Sequence, residues 1–148
     1  MLKQGAKAPK IELLDQNGKP WSLAAQGKKK ILVYFYPKAD TPGCTTQSCA
    51  LRDIKPDIGR TAIIGISPDK SEKQKKFDDK YELGFPLLAD TDKAVAQLYG
   101  TVGPLGFPRR SVFVVDGAGI VIYAHRAIAG LTFRPVAEII EAIGRASS

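Results

Sequence analysis

The run Ile31-Leu32-Val33-Tyr34-Phe35-Tyr36 constrains this chain more than any other stretch. Six consecutive apolar, β-prone residues leave no polar side to turn to water, so they read as a central strand buried on both faces. Pro37 ends it because proline cannot donate to a ladder. Thr61-Ala62-Ile63-Ile64-Gly65-Ile66-Ser67 repeats the pattern, and Ser111-Val112-Phe113-Val114-Val115 does so again. Asp116-Gly117-Ala118-Gly119 turns that last strand tightly into Ile120–Ala124, which predicts a hairpin.

Helical segments fall between the strands. Thr45 to Ile58 carries Ala50, Leu51 and Ile54 on one side, with Pro56 near its end. Ser71 is placed to cap a polar helix through Lys80, with Phe77 and Tyr81 four apart on one face. Leu87–Asp90 reads as a short strand or turn, and Lys93–Tyr99 as a brief helix stopping at Gly100. Pro135 opens a final amphipathic helix with Val136, Ile139, Ile140 and Ile143. At the other end, Asp15-Gln16-Asn17-Gly18 separates two short β-prone stretches and predicts an N-terminal hairpin. The order implies an α/β fold, a mixed sheet with helices on both faces. Residues 1–148 contain no internal repeat, and their length suits one domain.

With 44% hydrophobic and 25% charged residues, the chain has a globular composition, and no apolar stretch is long enough to span a bilayer. Met1-Leu2-Lys3-Gln4-Gly5 lacks the apolar core of a secretory signal, which favours the cytoplasm. The net charge of +7 is concentrated early, with eight lysines between Lys3 and Lys38 against Glu12 and Asp15. Lys28-Lys29-Lys30 would attract nucleic acid or an acidic partner, yet it follows Gly27 and precedes a buried strand, so a solvated loop is the simpler account. No zinc-finger spacing, RNA-binding aromatic signature or helix-turn-helix pattern accompanies it, and no specific nucleic acid is expected.

The chain's two cysteines sit together in Thr41-Pro42-Gly43-Cys44-Thr45-Thr46-Gln47-Ser48-Cys49. A strand that ends in a turn and feeds a helix places Cys44 among unpaired backbone N–H groups, which stabilise a thiolate. Thr-Pro-Gly argues for an exposed turn; the alternative is a pair of buried structural cysteines. On one regular helix, five residues mean about 7.5 Å of rise and roughly 140° of rotation, with Cα atoms near 8–9 Å apart. That exceeds disulfide reach, so bridging requires either unwinding of the first turns or a helix that begins only after the pair. Four intervening residues differ from the two of thioredoxin-like exchange enzymes. A zinc site would need two further ligands, and His125 is the chain's one histidine. His125 follows Tyr123 on a strand and reads as a surface or edge residue. Thr41 is close enough in sequence for its hydroxyl to reach the Cys44 sulfur or a bound oxygen, or simply to cap the turn. Arg110, at the mouth of the Ser111–Val115 strand, is the cation best placed for electrostatic support, with Arg109 and Arg52 as rivals and a solvated charge as the bland alternative.

These residues resemble the peroxiredoxins, specifically the branch of bacterioferritin comigratory proteins and plant peroxiredoxin Q. Tyr34-Phe35-Tyr36-Pro37, Thr41-Pro42-Gly43-Cys44-Thr45, Cys49 and Arg52-Asp53 carry the resemblance, which runs over nearly the whole chain. It implies a thioredoxin-like fold and reduction of hydrogen peroxide or alkyl hydroperoxides. Cys44 would be the peroxidatic cysteine and Cys49 the resolving one, closing an intramolecular disulfide. Thr41 and Arg110 would orient the peroxide, with Pro37, Gly43 and Gln47 in support. Val112 stands where many relatives have Thr, and Gln47 where part of the branch has glutamate. Thioredoxin is the implied reductant, glutaredoxin in some members, and no metal, haem, flavin or nicotinamide is required. Resolution within one chain needs no dimer, and a monomer is expected. A protein thiol–disulfide oxidoreductase and a thioredoxin-like binding module are the alternative readings; rapid loss of one peroxide per reduced protein separates the peroxidase from both.

Overall fold

The computed structural model describes residues 1–54, 56, 58–103, 105–126 and 136–145. An antiparallel hairpin, β1 (Glu12–Leu14) and β2 (Pro20–Ser22), begins the chain. The Asp15 carboxylate closes its turn by accepting the N–H groups of Asn17 and Lys19. A 3-10 turn at Ala24–Gln26 leads to β3 (Ile31–Phe35), every residue of which is buried. Then come α1 (Pro42–Asp53), β4 (Ala62–Ser67), α2 (Ser71–Tyr81), β5 (Leu87–Ala89) and α3 (Ala94–Leu98). The hairpin of β6 (Ser111–Val115) and β7 (Val121–Arg126) precedes α4 (Val136–Arg145).

The strands form one mixed sheet in the order β2-β1-β5-β4-β3-β6-β7. β3 lies at its heart, parallel to β4 and antiparallel to β6. Because strand side chains alternate, β3 feeds two separate cores. Leu32, Tyr34 and Tyr36 join Leu51 and Ile54 of α1, Phe77 of α2, and Ile139 and Ile143 of α4. Ile31, Val33 and Phe35 join Ile11, Val95 and Ala96 of α3, Tyr99 and Phe113. Helices therefore cover both faces, as the burial of β3 demands.

Two helix starts differ from the sequence expectation. α1 begins at Pro42 rather than near Thr45, since proline's fixed φ and missing N–H suit the first helical position. Ser71 is the first residue of α2, whose cap position belongs to Lys70. α1 ends at Asp53, short of the expected Ile58, with Ile54 as its C-cap. The expected helix start at Pro135 lies outside the described residues. Among the described residues, no helix is long and apolar enough to cross a membrane.

Candidate active site

β3 and β4 run parallel, and both end at the same edge, where their following segments converge. The loop after β3 is held from β4 and α2. Ala39 N–H donates to the Asp69 carboxylate at 2.6 Å, and the Ser67 hydroxyl donates to the same oxygen at 2.8 Å. Asp40 takes the left-handed conformation, φ 58°, which a short polar side chain tolerates better than most. Its carboxylate accepts Lys80 Nζ at 3.1 Å and the Tyr81 hydroxyl at 3.0 Å. The Lys80 hydrogen bond, then that of Tyr81, holds the Asp40 carboxyl below its ordinary range.

Thr41 is the N-cap of α1, so Pro42, Gly43 and Cys44 are its first three residues. Thr45 N–H makes the first intrahelical bond, to the Thr41 carbonyl at 2.8 Å. Cys44 thus sits in the first turn, where backbone N–H groups lack intrahelical partners. The Thr41 hydroxyl itself donates to the Lys38 carbonyl at 2.9 Å.

Both cysteines are free thiols, and both lie inside α1. The helix therefore does not wait until after the pair, and the unwinding alternative is the relevant one. The turn before Cys44 does reach the surface, with Pro42 exposed, yet the Cys44 thiol is fully buried, while Cys49 is half-buried. The reason is helical spacing: Cys44, Gln47, Ser48 and Leu51 share one inward face, and all four are buried. Cys49 points elsewhere on the helix, beside Arg52. Arg52 donates to Asp53 and to the Tyr81 carbonyl, and its charge falls within electrostatic reach of Cys49.

Beneath that face lies Tyr34, fully buried, whose hydroxyl shares a 2.7 Å hydrogen bond with Ser48 Oγ. Its ring stacks on Tyr36 with centroids 5.3 Å apart and meets Phe85 edge-on. Gly65 on neighbouring β4 makes the fit possible, since a Cβ there would come within 2.7 Å of the Tyr34 ring. Burial pushes the Tyr34 phenol far up despite the Ser48 bond, and both thiols act on it electrostatically. Neither Tyr34 nor Ser48 stood out in the sequence as a site residue. The small serine between two cysteines was the available signal. Gln47 is buried with neither amide atom hydrogen-bonded among the described residues.

Arg110 immediately precedes β6, and the pairing of Ser111 with Phe35 sets it at the sheet edge from which the Cys44 loop departs. It is half-buried. Arg109 lies against Gly103, where an added Cβ would come within 2.9 Å of its Nε. Pro37 is half-buried just past the end of β3. His125 lies on β7, the edge strand, opposite Val112. Among the described residues no group of three or more His, Cys, Asp or Glu side chains is placed to hold a metal ion.

Residues 4–124 match the AhpC/TSA family. Peroxiredoxin Bcp of Escherichia coli is 41% identical over 127 residues, covering 80% of this chain and 81% of that protein. The crystal structure of peroxidoxin BcpB from Mycobacterium tuberculosis superposes with a TM-score of 0.88 at 30% identity, over the full length of both chains. A bacterioferritin comigratory protein of Xanthomonas campestris, described for its alkyl peroxide reduction activity, superposes with a TM-score of 0.80 at 26% identity over 90% of each chain.

Proposed function

The chain belongs to the AhpC/TSA family, as a relative of the Bcp and peroxiredoxin Q proteins, and from that premise we propose how its two thiols complete a catalytic cycle. The protein is a peroxidase, and its reaction is thiol-dependent. Two free cysteines in one helix, five residues apart with the first in the opening turn, carry the reading.

The Cys44 thiolate attacks the terminal oxygen of hydrogen peroxide or an alkyl hydroperoxide. The O–O bond breaks, water or an alcohol leaves, and Cys44 becomes a sulfenic acid. Arg110, the Thr41 hydroxyl turned from its bond to Lys38, and the free N–H groups of the first turn of α1 orient the peroxide and stabilise the departing oxygen. Pro37 and Gly43 shape the approach, and Gln47 lies one turn beyond the sulfur. The Cys49 thiol then attacks the sulfenic sulfur, forming the Cys44–Cys49 disulfide and releasing water. A thioredoxin-type protein returns both thiols by dithiol exchange, with glutaredoxin as the other candidate donor. One chain suffices for the cycle, consistent with a monomer.

Peroxide consumption coupled to thioredoxin tests this directly. Cys44→Ser should reduce it to background. Cys49→Ser should consume one equivalent of peroxide and then stall. Sustained thioredoxin-supported turnover by either variant would refute the assignment.

A further inference from the structure

The half of α1 that carries both cysteines is weakly built. Pro42-Gly43-Cys44-Thr45-Thr46-Gln47-Ser48-Cys49 contains one strong helix former, Gln47, whereas Ala50-Leu51-Arg52 are all favourable. The Thr46 hydroxyl bonds back to the Pro42 carbonyl at 2.9 Å, a contact that loosens helices slightly. The inward face of this half offers the core a thiol, an amide and a hydroxyl in place of aliphatic side chains. The Gln47 amide, buried with no hydrogen-bond partner among the described residues, adds no bond that holds this half in place.

Against this stand the packing of Cys44 in the core and, among the described residues, one side-chain hydrogen bond from the half-helix to the sheet, the 2.7 Å bond between Ser48 and Tyr34. Tyr34 cannot follow Ser48 outward. Its strand pairs on both sides, and its ring is clasped by Tyr36, Phe85 and the Cβ-free surface of Gly65. Beyond Cys49 the helix is anchored separately, by Leu51 in the core and by Arg52 on the Tyr81 carbonyl at 2.6 Å. The structure thus has a loose segment, a fixed post, and one bond joining them midway between two thiols that cannot meet while the helix is intact.

We propose that the Tyr34–Ser48 hydrogen bond is the latch of the Cys44–Cys49 half-helix, and that its strength divides the Cys44 sulfenic acid between disulfide and over-oxidation. The inference rests on the two-cysteine cycle proposed above. With the latch open, Cys49–SH and Cys44–SOH give the disulfide and one water. With it closed, a second hydrogen peroxide oxidises Cys44–SOH to the sulfinic acid, again releasing one water. Ser48 and Tyr34 are positioning residues that act through the helix.

The test is a double-mutant cycle of Ser48→Ala, Tyr34→Phe and their combination, with two readouts. In reduced protein without peroxide, amide hydrogen exchange over residues 44–49 should accelerate about three- to tenfold in Tyr34→Phe, the worth of one net hydrogen bond, and less in Ser48→Ala, where alanine's helix propensity offsets part of the loss. Exchange in β3 and β4 should stay at the wild-type rate, showing an intact fold. After peroxide addition, disulfide formation should accelerate by a similar factor, and the sulfinic fraction at high peroxide should fall. The double variant should differ from the product of the two single effects. Exchange and disulfide rates within twofold of wild type in Tyr34→Phe, or strictly multiplicative effects, would overturn the latch while leaving the cycle standing. A wild-type protein that keeps both thiols after peroxide would instead defeat the cycle, and the latch's redox role with it.

Discussion

The two faces of β3 carry different kinds of core. On one, Ile31, Val33 and Phe35 pack among aliphatic and aromatic side chains, and the phenol of Tyr99 turns out to the Pro9 carbonyl at 2.8 Å. On the other, Tyr34 and Tyr36 bring hydroxyls into the interior, met by Ser48 and by the Gln74 side chain. Cys44 lies in this second core, with Cys49 at its margin. Apolar burial is non-directional and rewards permanence. Hydrogen bonds contribute less net free energy each, and are made or lost singly. Both faces thus hold the fold by apolar packing, and the face toward α1 adds directional bonds that can open one at a time.

The largest expected effect tests the first face. Phe113 is fully buried and meets both Phe35 and Tyr99 at steep ring angles. Phe113→Ala should cost about 3–5 kcal/mol in urea unfolding of the reduced protein, as truncation of a buried phenylalanine does. The folded fraction should still react with peroxide at the wild-type rate. A loss under about 1 kcal/mol, or a slowed reaction per folded molecule, would break the contrast.

A much smaller effect is expected at the rim of the other face. Asp40 is paired with Lys80, and its folded carboxyl lies below the ordinary value. Its stabilising contribution is therefore present above the ordinary carboxylate range and lost as pH falls through the depressed value. Asn retains the left-handed backbone, so Asp40→Asn isolates the charge. The variant should be slightly less stable than wild type at neutral pH, and the two urea midpoints should converge in acid. A gap that widens as pH falls would show that Asp40 acts otherwise.

The first face was largely legible from sequence. Runs such as Ile31–Tyr36 and Ser111–Val115 admit few environments and imply a mixed sheet, whereas the placement of β3 between β4 and β6 came only with the structure. The second face was only partly legible. Cys44 and Cys49 announced themselves by motif and spacing, but Thr-Pro-Gly suggested exposure, and the inward face of α1 buried the thiol instead. The Tyr34–Ser48 bond joins residues 14 apart and depends on Gly65 lying beside Tyr34, a matter of strand register that no local pattern encodes. Arg110 could be singled out because β6 begins next to it, whereas the engagement of Arg52 with Tyr81 required the packing of α1 on α2.

In the proposed cycle, Cys44 and Cys49, reduced and separated on one helix, join on meeting peroxide. Intact mass and free-thiol content, followed after one equivalent of hydrogen peroxide is added to fully reduced protein, test it most directly. Rapid loss of two hydrogens and of both thiols is expected, with Cys49→Ser instead trapping one added oxygen on Cys44. Two thiols surviving prolonged exposure would contradict it.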